Sequence, residues 1–422
     1  MGLLSFLYNV GIRLYGLAIR LAAPFSPKAK SWITGRKNWK SEIQTISQWE
    51  EPVIWFHCAS LGEFEQGRPI LDKIRHTYPN YKILLTFFSP SGYEIRKDYV
   101  HADHVMYLPL DTLDNMRYLL NHFTPHLVVI VKYELWLNWL SELRSKAIPH
   151  ILISASLRAE SNFLGGPLVS LYRLALEGFA QIFTQNSLTT DLLQKFSSKI
   201  KVTTSADTRF DRVSENVANW REIGKIAEFV NGRPCWVCGS TWPEDESVIF
   251  ETFQSLYTHN QDLCIIIAPH EIHKERIVKW MSVFQEESIR YSNWNIENTE
   301  KKILWIDHIG SLSKLYAYAD LAYVGGAFGQ GLHNILEAIA FGCPTVFGPI
   351  YDKYPEAEMS ISQGGGFSIQ NSNELMQLWD KIQSDTQHKS EIFRKNKDFV
   401  LSQKGASLQI CQWLQEVGFL QS

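Results

Sequence analysis

The first forty residues contain no aspartate or glutamate, whereas Arg13, Arg20, Lys28, Lys30, Arg36, Lys37 and Lys40 all fall within them. So one-sided a charge suits an anionic surface. Lysine and arginine are also missing from the first twelve positions, so the apolar stretch Leu3 to Phe25 lacks the basic start of a secretory signal. Arg13 and Arg20 interrupt that stretch, and a membrane-spanning helix would carry both into hydrocarbon at high cost. The whole chain lacks a Walker A loop, an HExxH pair, a GxSxG elbow and any convincing metal cluster. Its six cysteines are scattered at 58, 235, 238, 264, 343 and 411, mostly in apolar runs, which excludes a disulfide framework and reads as reduced core cysteine. The lone Cys235-Trp236-Val237-Cys238 reads as strand rather than a zinc or redox motif. No tandem repeat or low-complexity stretch appears, and a net charge of −3 argues against a general nucleic-acid binder.

What is present is enough for two or three ordinary globular domains: 422 residues, 45% hydrophobic and 20% charged, with 14 tryptophans. In residues 1–40, Ser5, Asn9, Arg13, Gly16 and Arg20 recur at helical steps, so a polar face accompanies an apolar one. An interfacial helix with a basic flank is the preferred reading, and packing on the protein's own body competes with it. Over residues 41–212, VIWFHCAS, KILLTFF, HLVVIVKY, PHILISAS, QIFTQ and KVTTSAD alternate with helical patterns. Over residues 235–385, CWVCGS, LCIIIAPH, ILWID, DLAYVGG and PTVFG do the same. Such alternation predicts two doubly wound α/β domains with parallel sheets, a cleft between them and ligands at the strands' carboxyl ends. Residues 213–234 read as a linker, and residues 386–422 as helices that pack back on the first domain.

The most informative stretch is Tyr323 to Pro349, YVGGAFGQGLHNILEAIAFGCPTVFGP. A buried strand runs into glycines at 325, 326, 329 and 331, and a short helix then starts at Asn334, an arrangement suited to a phosphate. Glu337 either closes a capping box with Asn334 or accepts hydrogen bonds from ribose hydroxyls. In the first half, Glu63 follows a strand at the turn in HCASLGE, where it is either a general base or an ordinary helix-start glutamate. Glu134 holds the corresponding place in VKYELWLNWL. Arg209, in SADTRFDRV, either faces a leaving phosphate or pairs with Asp207 or Asp211. In the second half, Gly239-Ser240-Thr241, Pro269-His270 and Gly310-Ser311-Leu312 each follow a strand and offer donors to a nucleotide.

Taken together, these motifs resemble the Kdo transferases of Gram-negative bacteria, which move 3-deoxy-D-manno-octulosonic acid (Kdo) from CMP-Kdo to a lipid A precursor. The resemblance runs through GRKNW, WFHCASLGE, YELWLNW, DTRFDR, GSTWPEDE, APHEIHKER and the glycine-rich stretch, in that order. It implies a GT-B fold with the acceptor site in the first domain and the donor site in the second. It implies Glu63 as the base for the acceptor 6′-hydroxyl, with Glu134 and Arg209 supporting the transition state. Pro269, His270, Gly310, Ser311, Leu312, Asn334, Ile335, Leu336 and Glu337 match the CMP-holding positions. The sequence departs from the family pattern at Leu332, where glycine is frequent, at Ala338 (proline), at Arg209 (lysine) and at His270 (arginine). The same resemblance implies lipid IVA as acceptor, inversion without a metal or other cofactor, and a peripheral place on the cytoplasmic face of the inner membrane. The rival readings are a GT-B transferase using a UDP-sugar and a non-catalytic membrane-bound nucleotide-sugar binding protein.

Overall fold

A computed structural model describes residues 2–157, 161, 163–257, 262–284, 286–298 and 300–421. The chain divides into two compact units, residues 1–211 with 404–422, and residues 212–403. Each is built on a seven-stranded sheet in which every pairing is parallel.

The first sheet comprises β1 (Val53–Cys58), β2 (Lys82–Phe87), β3 (His104–Tyr107), β4 (Leu127–Val131), β5 (His150–Ala155), β6 (Gln181–Thr184) and β7 (Val202–Thr204). Their order is β3-β2-β1-β4-β5-β6-β7, so the winding direction reverses between β1 and β4. Alternate residues feed two cores: Val53 and Trp55 join Leu84, Trp139 and Leu140 on one face, while Ile54 and Phe56 join Phe64, Ile70 and Ile74 on the other. Covered on both faces, β1 and β4 are buried at every position, and their sequences are correspondingly continuous apolar runs.

The second sheet comprises β8 (Cys235–Thr241), β9 (Cys264–Pro269), β10 (Ser288–Arg290), β11 (Ile303–Trp305), β12 (Leu321–Val324), β13 (Thr345–Phe347) and β14 (Gly366–Ser368). The order is β10-β11-β9-β8-β12-β13-β14, with its reversal between β8 and β12. Three strands were not anticipated from sequence: β3, β10 and β14. All lie at sheet edges, and each is buried only in part, so no continuous apolar run marks it in the sequence.

The segment 213–234 is not a free linker. It contains the end of the helix Thr208–Ala218 and the helix Gly224–Val230, whose Ile226, Phe229 and Val230 are buried in the second unit. Residues 386–422 also divide. The helix Thr386–Gln403 belongs to the second unit, where the Asn396 amide donates to the Cys343 carbonyl at 2.7 Å. The helix Ala406–Glu416 belongs to the first, and its Ile410, Cys411 and Leu414 complete the core around Ile70, Leu71 and Ile74. Asp211 caps the start of that helix, accepting from the backbone N–H groups of Gly405 and Ser407.

The N-terminal helix Gly2–Ala22 has an inverted relation to the body of its unit. Leu3, Phe6, Leu7, Val10, Leu14, Leu17 and Leu21 are exposed. The side facing the protein is a narrow stripe: Ile12 and Gly16 are buried, Gly16 against Leu110, and Tyr8 and Asn9 are half-buried and hydrogen-bonded. Both readings offered for this segment leave a trace: an apolar side faces outward, as an interfacial helix requires, and a narrow stripe packs on the body of the unit. One expectation is corrected at Arg36. Rather than joining a basic flank, it is buried and donates to the carbonyls of Leu108, Trp32 and Phe88.

Candidate active site

Glu63 and Glu134 follow the two strands that flank the reversal point of the first sheet, Glu63 after β1 and Glu134 after β4. Neighbouring parallel strands ending in like-signed side chains bring the two carboxyl groups together. Glu63 lies in the first turn of the helix Leu61–Thr77, is 6% exposed, and accepts from the Ala59 backbone N–H at 2.5 Å. Burial raises its carboxyl to about 7, against the pull of the Ala59 N–H and of Lys132. Burial, with the Glu63 charge behind it, raises Glu134 to about 8, again opposed by Lys132. Desolvation therefore overcomes the helix dipole at Glu63, and the pair takes up a proton near neutrality.

Lys132 was missed in the sequence although it stands in VKYELW. It follows β4 directly in a left-handed conformation, φ +72°, and its backbone N–H donates to the Ile153 carbonyl at 2.8 Å. A charged residue directly after a five-residue apolar strand was the available signal. Arg209 is held by Asp207, its Nε donating to Oδ2 at 2.9 Å, one of the pairings foreseen for it. The other foreseen partner, Asp211, instead caps the C-terminal helix.

A pH dependence follows. If one of the two carboxylates must be ionised to accept a proton, turnover falls as pH drops below about 7. An unperturbed glutamate would stay active to about pH 5. The acid limb of kcat at saturating donor measures this directly.

In the second unit the loops after β8 and β12 flank that sheet's reversal point and are locked by Asp245, which is fully buried. Its Oδ2 accepts from the backbone N–H of Trp242 at 2.9 Å and of Gly326 at 2.8 Å, and its Oδ1 from the Tyr323 hydroxyl at 2.9 Å. Gly326 has φ +97°, and a Cβ there would lie 2.1 Å from the Gly331 carbonyl oxygen, so the loop closes only with glycine. Asp245→Ala would strand three buried donors and is expected to destabilise the second unit by at least about 3 kcal/mol, read from its unfolding midpoint.

The residues expected to hold a nucleotide are distributed around these loops. The His270 ring, beyond Pro269 at the end of β9, stacks on Trp242 at 4.8 Å and on His333 at 4.3 Å. The Trp242 indole donates to His333 Nε2 at 3.1 Å, and burial with the neighbouring His270 pushes His333 down to about 4, so that ring is neutral. Gly310, with φ +104°, precedes Ser311 and the short helix Leu312–Leu315, and the Ser311 hydroxyl is buried without a hydrogen-bond partner among the described residues. The helix after the glycine loop spans only Leu336–Ala340, with Ile335 at its cap position, while the Asn334 side-chain oxygen accepts from the Leu336 N–H at 3.2 Å. Glu337 lies 3.8 Å from the Arg212 guanidinium. The Trp242 and Asp245 roles were not foreseen, although both lie in the quoted GSTWPEDE. Among the described residues, no three His, Cys, Asp or Glu side chains are grouped so as to hold a metal ion.

The family described as 3-Deoxy-D-manno-octulosonic-acid transferase (kdotransferase) matches residues 37–212. A 3-deoxy-D-manno-octulosonic acid transferase of Chlamydophila psittaci is 30% identical over 334 residues, covering 76% of this chain and 75% of the relative. That of Haemophilus influenzae is 27% identical over 311 residues, covering 72% of each chain. The solved UDP-GlcNAc 2-epimerase from Neisseria meningitidis bound to UDP-GlcNAc superposes with a TM-score of 0.63 at 13% identity, over 86% of this chain and 100% of that one. At that identity the likeness establishes the GT-B class of fold. With the sequence relationship extending over three quarters of both chains, this protein belongs to the Kdo transferase family, the glycosyltransferases that add 3-deoxy-D-manno-octulosonic acid in lipopolysaccharide synthesis.

Proposed function

We propose that the chain transfers Kdo from CMP-Kdo to the 6′-hydroxyl of lipid IVA, with inversion, at the cytoplasmic face of the inner membrane. The observation that carries the reading is the buried Glu63–Glu134 pair beside Lys132, whose proton affinity is matched to neutral pH. In this scheme Glu63 takes the proton of the acceptor hydroxyl as that oxygen bonds to the anomeric carbon of Kdo. The bond from that carbon to the phosphate oxygen breaks, and CMP leaves with the electron pair. Glu134 and Lys132 hold the field around Glu63, and Arg209 offsets negative charge on the departing phosphate. Pro269, His270, Gly310, Ser311, Leu312, Asn334, Ile335 and Leu336 seat the nucleotide, and Glu337 accepts from the ribose hydroxyls. The scheme uses no metal ion or other cofactor.

The outward apolar stripe of the N-terminal helix supports a lipid acceptor, because it would carry the enzyme to the bilayer where such a molecule resides. Mass spectrometry of the product formed from CMP-Kdo and lipid IVA tests donor, acceptor and number of sugars together. A Kdo-extended lipid is the expected result, and an unaltered lipid overturns the proposal. Thermal stabilisation by CMP but not UDP is expected in parallel, and the reverse preference would favour a UDP-sugar transferase.

A further inference from the structure

The helix Leu137–Ser145 starts without a cap of its own, since Trp136 holds the cap position and supplies no side-chain bond. Its first three N–H groups are satisfied from elsewhere. The Leu137 N–H donates to the Tyr8 hydroxyl oxygen at 3.1 Å, the Asn138 N–H to Asp111 Oδ2 at 3.0 Å, and the Trp139 N–H to Asp111 Oδ1 at 2.9 Å. The Tyr8 hydroxyl in turn donates to Asp111 Oδ2 at 2.7 Å, and the Asn138 side-chain amide donates to Asn9 Oδ1 at 3.0 Å. Thus the N-terminal helix closes the cap of a helix more than a hundred residues away. Asp111 is fully buried, so the loss of one donor there is not made up by water.

That helix start lies three residues beyond Glu134. The turn between them is short: β4 ends at Val131, the Lys132 N–H is fixed to β5, and the Leu135 N–H donates to the Tyr133 carbonyl at 2.9 Å. Glu134 is thereby held between two anchors, one on the sheet and one on the Tyr8–Asp111 cap. A second contact reaches the same place. Tyr15, also on the N-terminal helix, stacks on Phe88 at 6.3 Å, Phe88 packs on Trp136 at 4.7 Å, and Tyr15 lies close enough to feel the Glu134 charge.

We propose that Tyr8 is a positioning residue of the acidic pair: through Asp111 and the Leu137 N–H it fixes the turn that carries Glu134, so that seating of the N-terminal helix sets the geometry of the site. The proposal rests on the transferase reading for its kinetic consequence but not for its structural one. When the anchor is released, Glu134 gains water and separates from Glu63, and both causes of its raised proton affinity weaken.

The test uses the full chain with Tyr8→Phe, and Asn9→Ala as a milder variant should Tyr8→Phe fail to fold. For Tyr8→Phe, kcat is expected to fall between about tenfold and a hundredfold with the KM for CMP-Kdo unchanged. The acid limb of the profile should also move to lower pH. Titration of carbon-13-labelled glutamate side chains should show the same downward move of the pair, without any need for turnover. A wild-type chain that transfers no Kdo would overturn the transferase reading, and the titration would still decide this proposal. An unmoved titration of the pair in a folded variant overturns it, as does a loss of kcat that is equal at every pH.

Discussion

Glu63→Gln is expected to lower Kdo transfer by about a thousandfold, the order of magnitude that proton abstraction contributes when general-base catalysis is removed. CMP binding should persist, because the positions proposed to seat the nucleotide belong to the other unit. Glutamine keeps an oxygen for the Ala59 N–H, so the local hydrogen bond survives the change. The stability of the variant separates loss of the base from loss of fold. A carboxyl group with raised proton affinity in the folded state binds more protons there than in the unfolded chain. Stability therefore falls as pH rises from the unfolded value near 4.5 to the folded value of about 7. Glu63→Gln removes that penalty, so its unfolding midpoint at pH 8 should equal or exceed the wild type's. A stable variant retaining more than a tenth of wild-type turnover would remove Glu63 from the base role.

Charging the outer stripe of the N-terminal helix is the second large effect. Phe6, Leu14 and Leu21 are 62, 58 and 67% exposed, so replacing all three with glutamate disturbs little packing inside the protein. In an anionic bilayer each change withdraws an apolar side chain worth about 1.5 kcal/mol or more and adds a repelled charge. The triple variant should lose vesicle association by at least about a hundredfold, as read by co-sedimentation, while its unfolding midpoint in solution stays put. Vesicle binding equal to that of the wild type would show that the stripe does not meet the membrane.

Much of the architecture was legible because most of its central strands are buried at nearly every position, so that they read as apolar runs. Glu63 and Glu134 could be picked out for the same reason, since a carboxylate just past such a run stands at the carboxyl edge of a sheet. Lys132 escaped because a lone lysine after a strand is ordinary until its neighbours are known. Asp245 escaped because three acidic residues open its helix, and only the fold distinguishes the one that ties two loops. Helical periodicity separated the polar from the apolar side of the N-terminal helix but carries no sign for which one meets the protein, and here Tyr8, Asn9, Ile12 and Gly16 do.

The cap that Asp211 places on residues 405 and 407 bears on how this molecule must be made. The acid-bearing unit is encoded first and yet finishes last, because the helix that seals Ile70, Leu71 and Ile74 emerges from the ribosome only after the whole intervening unit. A chain cut after Gln403 would keep the second unit's sequence whole. The damage would fall on the half of the enzyme synthesised earliest, which would bare a greasy seam for chaperones and proteases to find.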